Sequence, residues 1–288
     1  MTTHSASIAP HRQRGIRIGS LLLQMLLILF AIIQIFPLIW LFLFSLKDNA
    51  EIFSGNVIGL PNVWHWENYE SLFTGGKLGL YFINSLVVTF VTIVLTVILA
   101  TMAAYSLSRL KWKLSKVMNT VFMIGLMIPI HAALLPIFLI LKNAGLLNSH
   151  LALILPYTGF GLSLAIVVLV NFFNTLPKEL EESAFIDGSG IYRTFAQIMV
   201  PLVAPAVATV SIFTYLSAWN ELMFAITFVS SDHIKTLTVG IMSMAGQYST
   251  SWGPIGAGLF VATLPTIVLY LAMSTQVERS LTAGAVKG

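Results

Sequence analysis

Residues 176–201 read LPKELEESAFIDGSGIYRTFAQIMVP and interrupt an otherwise apolar chain between two long hydrophobic runs. This stretch contains four of the eleven acidic residues of the protein. Pro177 suits a first helical turn, and the glutamates after it would lie near the positive end of the helix dipole. The glycines of the sequence 187–190 predict the end of that helix, because glycine tolerates the left-handed conformation of a C-terminal cap. A second helix is predicted to carry Ile198 on its apolar face and to end at Pro201.

The composition outside this stretch is typical of a membrane protein. Apolar residues make up 57% of the chain and charged residues only 9%, whereas soluble domains carry roughly 25% charged residues. The chain has no cysteine, which excludes disulfides, thiolate metal sites and cysteine nucleophiles. Apolar runs long enough to cross a bilayer predict an all-α integral membrane protein with six transmembrane helices. The predicted spans are residues 18–46, 80–107, 117–141, 151–173, 202–228 and 256–275.

The distribution of lysine and arginine predicts the orientation of these spans. Eleven of the fifteen basic residues fall in residues 1–17, the 108–116 loop, the 174–201 loop and the tail 276–288. Only four fall in the alternate loops. The larger group belongs in the cytoplasm, so both termini and the 174–201 loop are predicted inside.

The extracytoplasmic loops are therefore residues 47–79 and 229–255. Aromatic residues in the first loop, which include Trp64 and Trp66, could form a landing surface for a soluble protein or a simple interfacial belt. The second loop is longer than a connector requires. It contains Met242, Met244, Gln247, Tyr248 and Trp252.

Polar residues inside the predicted spans are the candidates for a transport path. Glu221 is the one carboxylate within an apolar run, and a charged group at that depth costs at least about 2.5 kcal/mol unless it is paired, protonated or hydrated. Together with Trp219 and Asn220 it either faces a substrate path or holds the helix to a neighbour. His131, next to Pro129, is predicted to be a hydrogen-bonded core group. Prolines within the spans either kink helices around a gated path or are ordinary packing features.

The polar loop 174–201 resembles the "EAA" loop of ABC importer permeases. The pattern of that loop is EAA, three residues, Gly, nine residues, then I-x-L-P. Glu182-Ser183-Ala184, Gly188 and 198–201 keep each spacing, with Ser183 and Val200 as substitutions. Four further stretches resemble the maltose-type carbohydrate-uptake permeases: residues 82–86, 145–148, 219–221 and 284–288. On this resemblance the ATPase-docking residues are Glu182, Ser183, Ala184, Asp187, Gly188, Ile198 and Pro201.

The resemblance implies a type I ABC importer permease in a bacterial cell membrane, with residues 80–275 as the permease core and 174–201 as the coupling loop. It implies a second permease subunit, a cytoplasmic ATPase dimer that binds ATP and Mg²⁺, an extracytoplasmic solute-binding protein and a sugar substrate. The chain itself has no phosphate-binding loop, no metal-ligand pattern and no nucleic-acid module, so it is predicted to be non-catalytic and to bind no cofactor. An ion-coupled secondary transporter or a channel is the alternative.

Overall fold

The computed structural model describes residues 18–74, 77–246 and 250–285. Within these ranges the regular structure is helical, apart from one isolated β-bridge between Ala245 and Thr250. The all-α prediction therefore agrees with the described part of the chain. Some residues used in the sequence analysis lie outside the described part. They are the basic residues of segment 1–17, Gln247 and Tyr248 of the second extracytoplasmic loop, and Lys287 of the tail.

The described residues include fourteen α-helices. In chain order they are α1 (Ile18–Ser45), α2 (Asn49–Phe53), α3 (Glu67–Thr74), α4 (Leu78–Arg109), α5 (Ser115–Gly125), α6 (Leu134–Asn143), α7 (Leu151–Thr175), α8 (Glu179–Ile186), α9 (Ile191–Thr194), α10 (Val200–Leu202), α11 (Ala204–Trp219), α12 (Met223–Phe228), α13 (Leu237–Met242) and α14 (Trp252–Ala285). A 3₁₀ turn, Ile130–Ala133, precedes α6, and a π-helical turn, Phe195–Met199, joins α9 to α10.

Four of these helices, α1, α4, α7 and α14, are each long and apolar enough to cross a membrane, and two bent helix pairs raise the number to as many as six. The predicted third and fifth spans are not single helices, which corrects the sequence interpretation. The third bends by 96° between α5 and the helical segment Ile130–Asn143. At the start of the fifth, the helical segment Ile191–Leu202 meets α11 at an angle of 73°. The fifth is interrupted again after Trp219.

Two prolines account for the positions of these bends. Pro129 has an extended backbone directly before the 3₁₀ turn. Proline cannot donate the hydrogen bond that would continue the α5 helix through this point. Pro205 lies in the first turn of α11, where a missing N–H costs nothing, so it starts a new helix beyond the bend. Pro156 and Pro265, in contrast, lie within the continuous helices α7 and α14.

Helices α4 and α7 form the largest interface of the bundle, and α11 packs against both. Their buried residues, which include Tyr105, Leu169 and Phe173, form a cluster together with Met199 of the π-helical turn. Helix α1 packs against α14 and is otherwise exposed from Gly19 to Ile39. An apolar helix without protein around it is stable in lipid, because lipid solvates the side chains while the helix satisfies its own backbone.

Two of the stretches that resemble permeases hold the segment between α12 and α13. Asn84 donates from Nδ2 to the carbonyls of His233 (2.9 Å) and Lys235 (3.0 Å). Asn148 accepts through Oδ1 from the backbone N–H of Ser230 (2.7 Å) and Ser231 (3.1 Å). These asparagines therefore have a structural role that their position in the sequence did not reveal.

Charged side chains complete the same end of the bundle. Asp232 accepts from Lys235 (2.6 Å) and Lys77 (2.8 Å), and these hydrogen bonds, that of Lys235 first, lower the pKa of Asp232 to about 2. Lys47 is fully buried and donates to the carbonyls of Asn56 (2.6 Å) and Gly59 (2.7 Å). Burial lowers the pKa of Lys47. This end of the helix bundle is therefore ordered by polar contacts between loops and helix termini.

Candidate functional site

The 176–201 loop folds into the predicted pair of short helices. Helix α8 ends in a Schellman motif, in which Ser189 N donates to Ala184 O (2.9 Å) and Gly188 N to Phe185 O (3.1 Å). Gly188 has φ +79°, a conformation that side chains beyond glycine rarely adopt. Thr194, which is fully buried, donates through its hydroxyl to the hydroxyl of Ser189 (3.2 Å). The turn between α8 and α9 is therefore fixed by hydrogen bonds.

The start of α8 differs slightly from the prediction. Lys178 is the residue that caps the helix, and Pro177 lies just before the first turn instead of inside it. Glu179, Glu181 and Glu182 occupy the first turn as expected. Their carboxylates lie near the positive end of the helix dipole.

The outward surface of this loop combines charge with exposed apolar side chains. Glu182, Ser183, Asp187 and Gly188 are exposed, as a docking role requires. Ile186 and Tyr192 are 85% and 86% exposed, more than any other large apolar side chain in the described part of the chain. Sequence reasoning missed both, although apolar residues within a polar loop are a usable signal for a contact surface. These residues, 182, 183, 186–188 and 192, are called the outer loop face below.

The remaining predicted docking residues do not all share this face. Ala184 is buried, and Ile198 is half-buried and packs against the buried cluster of the helix bundle. Pro201 is exposed but lies near the bend before α11. The EAA-type pattern therefore combines residues that face outward with residues that hold the loop against the spans.

A buried ion pair joins this loop to the end of α4. Arg109 Nε lies 3.3 Å from Glu181 Oε2, and the side chains are only 4% and 9% exposed. The contact is an ion pair without the alignment of a hydrogen bond. Arg109 also donates from Nη2 to the carbonyl of Leu176 (2.7 Å), which follows α7. Removing one partner of such a pair typically costs about 3–5 kcal/mol, because the other charge is left buried alone.

A second candidate site lies where the two broken helices meet. Glu221 follows the end of α11, and its carboxylate accepts from the backbone N–H of Phe224 (3.0 Å) and Ala225 (3.2 Å) in α12. Tyr157 of α7 donates its hydroxyl to Glu221 Oε2 (2.7 Å). His131 Nε2, in the 3₁₀ turn before α6, is 3.6 Å from Glu221 Oε1. We call Glu221, Tyr157 and His131 the polar cluster.

Glu221 and Tyr157 of the polar cluster border a cavity of about 240 Å³ that is lined mainly by apolar side chains, with Thr92, Thr214 and Ser217 among the polar ones. The Glu221 side chain is largely enclosed, whereas that of His131 is 59% exposed. The prediction of His131 as a core group is therefore wrong. Breaks in two helices bring His131 and Glu221 together, and no sequence pattern links residues 90 positions apart.

Trp219 and Asn220 lie on a different side of α11 from the 240 Å³ cavity. Trp219 is buried, donates from Nε1 to the carbonyl of Ala262 (3.0 Å) and packs edge-on against Phe82. Asn220 is exposed and donates to the carbonyl of Leu216 (2.9 Å). Both border a larger apolar cavity of about 1200 Å³ between α1, α11, α13 and α14. The three predicted path residues thus do not form one site.

No metal centre is evident in the part of the chain that the structure describes, since no three His, Asp or Glu side chains converge there. A bundle of apolar helices with a polar loop fixed by hydrogen bonds, and with broken helices around a polar cluster, is typical of membrane transport subunits.

Comparisons with known proteins agree with this class. The family described as "binding-protein-dependent transport system inner membrane component" matches residues 93–282. The diacetylchitobiose uptake system permease protein NgcG of Streptomyces coelicolor is 34% identical over 90% of this chain and 86% of its own. The trehalose transport system permease protein SugB of Mycobacterium tuberculosis is 34% identical over 88% of this chain and 92% of its own.

The fold is also found in a solved structure. A bacterial ABC transporter that imports the polysaccharide alginate contains a chain with a TM-score of 0.78 and 22% identity, covering 93% of this chain and 99% of that one. The present chain belongs to the binding-protein-dependent transport system inner membrane components, the permease subunits of ABC importers. It is a pore-forming component, and ATP hydrolysis belongs to partner ATPases.

Proposed function

We propose that this chain is one of two permease subunits of an ATP-driven importer for an oligosaccharide or disaccharide. The relatives that support a carbohydrate are named for diacetylchitobiose and trehalose uptake. Family membership supports the ATP-driven hypothesis, and nothing found favours an ion-coupled transporter or a channel.

The observation that carries this proposal is the outer loop face. This face lies on the segment formed by α8, α9 and the turn between them, called the elbow below. Its two charged and two strongly exposed apolar side chains suit insertion into a groove of a cytoplasmic ATPase. Because the Schellman motif and the Thr194 hydroxyl fix the turn, movement of the groove would turn the elbow as a unit. A flexible loop would absorb that movement. Glu182 on this face would pair with a basic residue of the groove.

The proposed orientation places this loop and both termini in the cytoplasm of a bacterial cell, with the chain as a multi-pass protein of the inner membrane. The excess of basic residues in the inside loops supports this arrangement. The N-terminal basic residues carry part of that argument and lie outside the described residues.

The opposite face would receive an extracytoplasmic solute-binding protein. Trp64 and Trp66 are both exposed and their rings stack with centroids 6.4 Å apart. Tyr69, in contrast, contacts the hydroxyl of Ser45 (2.6 Å) and holds α3 to the end of α1. A paired, exposed aromatic surface fits a landing site, and an interfacial belt remains the competing hypothesis.

We expect the binding protein loaded with its sugar to stimulate ATP hydrolysis by the purified complex. The measurement is ATPase activity in nanodiscs with binding protein and a panel of trehalose, maltose, diacetylchitobiose, glycerol phosphate and a polyol. A carbohydrate importer gives stimulation with one or a few sugars, and unliganded binding protein is the control. Uptake that resists ATP depletion but stops with proton uncouplers would contradict the proposal.

The proposed substrate path passes Glu221. An ionised carboxylate has about four acceptor positions, and Tyr157 and the amides of Phe224 and Ala225 use most of them. The remaining acceptor capacity of Oε1 is on the side of His131. One sugar hydroxyl could therefore bind there while the protein contacts hold the carboxylate in place. Trp219 and Asn220, on another side of α11, would act on the path only by positioning this helix.

We expect Glu221→Ala to lower uptake more than assembly, and Glu221→Gln to raise the KM for uptake about tenfold. The glutamine keeps the size of the side chain but replaces a charged acceptor, a change worth roughly 1.5 kcal/mol. Tyr157→Phe is the companion variant, because it removes one hydrogen bond that holds the carboxylate but keeps the charge, and it is expected to raise the KM less than Glu221→Gln does. KM is measured in proteoliposomes that contain equal amounts of complex. Loss of complex with normal uptake per remaining complex would assign Glu221 a purely structural role.

A further inference from the structure

The two adjacent glutamates at the start of α8 point in different directions. Glu182 is exposed on the outer loop face, whereas Glu181 is buried against Arg109. Consecutive residues of a helix are about 100° apart around its axis, so they contact different neighbours. Glu182 is therefore available to a partner protein, whereas Glu181 makes its contact within this chain.

Arg109 is placed where three elements meet. It is the last residue of α4, its Nε faces Glu181 of α8 at 3.3 Å, and its Nη2 donates to Leu176 at the end of α7 (2.7 Å). A guanidinium group has several donors in a fixed plane, so it can hold two acceptors in a set geometry. The end of α4 is thereby linked at one point to α7 and to the 176–201 loop, which is called the docking loop below.

The second half of the loop contacts the same helix end through aromatic rings. Tyr105 lies one turn before Arg109 in α4, and its ring centroid is 5.0 Å from that of Phe195. Phe173 of α7 also packs edge-on against Tyr105, with ring centroids 5.8 Å apart. The last turn of α4 thus offers an aromatic contact to one loop helix and a charge to the other.

We propose that the Arg109–Glu181 pair is the link through which rotation of the docking loop moves α4. The proposal rests on the docking function proposed above. Apolar contacts such as Tyr105–Phe195 can slide, whereas two opposite charges enclosed in protein resist separation. Arg109 and Glu181 are positioning residues, since neither belongs to the outer loop face nor to the polar cluster.

The test uses the complete importer in proteoliposomes with Glu181→Gln, Arg109→Gln and the double variant. For each, ATP hydrolysis and transport of the panel sugar with the highest rate in the unaltered importer are measured. We expect the ATPase to copurify normally while the sugar transported per ATP falls by about fivefold or more. The double variant is expected to lose no more than either single one, because both remove the same link.

Glu179→Gln is the matched control, since Glu179 is exposed on the same helix, and it is expected to leave the transport ratio unchanged. Equal losses of hydrolysis and transport in Glu181→Gln would overturn the proposal, because the pair would then serve stability alone. Additive losses in the double variant would overturn it as well. An unaltered chain that retains no ATPase would instead contradict the proposed function.

Discussion

Replacing Gly188 with proline is expected to abolish uptake while the protein remains in the membrane. Gly188 has φ +79° and donates its N–H to Phe185 O, and proline can provide neither that angle nor that donor. A misplaced proline costs about 3 kcal/mol or more, which corresponds to a loss of more than about a hundredfold in correctly formed elbow. Uptake in vesicles and the amount of membrane-inserted protein are the two measurements. Gly188→Trp, which keeps the donor but not the backbone preference, is expected to fail in the same way.

Gly190→Ala is the control for this experiment. Gly190 caps the start of α9 with φ −75°, and a Cβ atom there would meet no neighbour within 4 Å. The alanine variant is therefore expected to transport normally. Normal uptake and ATPase coupling in Gly188→Pro would show that the rigid elbow is not needed for transport.

Replacing Ile186 and Tyr192 together with serine is expected to weaken ATPase binding by at least about a hundredfold. Both side chains are almost fully exposed in this chain, so their loss costs the fold little. Burying each in a partner groove would contribute about 1.5–3 kcal/mol, and each 1.4 kcal/mol is tenfold in affinity. The measurement is the dissociation constant of the purified permease pair for its ATPase.

Leu114→Ser is the matched control for the double variant. Leu114 is also an exposed apolar residue on the predicted cytoplasmic side, but it lies between α4 and α5 and away from the outer loop face. Its replacement is expected to leave ATPase binding unchanged. An unchanged dissociation constant in the Ile186→Ser, Tyr192→Ser variant would place the docking surface elsewhere on the chain.

These expectations show how much of the docking loop was predictable. The glycine cluster and the glutamates predicted the first helix and its end, because caps depend on residues only a few positions apart. The direction in which Glu181, Ala184 and Ile186 point was not predictable in the same way. It depends on which side of α8 meets the ends of α4 and α7, and that is a contact between distant parts of the chain.

The membrane part follows a similar division. Length and hydropathy predicted apolar helices at α1, α4, α7 and α14, and the family resemblance predicted the fold. Prolines such as Pro129 were candidate kinks, but the size of the bend after Pro129 and the interruption after Trp219 were not predicted, because an unbroken apolar run has the same composition whether its helix is straight or bent. Prolines alone did not locate these breaks, since Pro156 and Pro265 lie in continuous helices.

The sequence by itself determined that this chain is a helical membrane protein with a capped polar loop, because hydrophobicity and capping are local properties. Only the tertiary structure decided that Arg109 pairs with Glu181, and that Tyr157 and His131 surround Glu221. It also decided that Trp219 and Glu221 serve different surfaces. In a helix that is apolar all round, no periodic pattern marks the side that faces a neighbour. The side of a helix that faces its neighbours is therefore decided by packing, and packing joins residues that lie far apart in the chain.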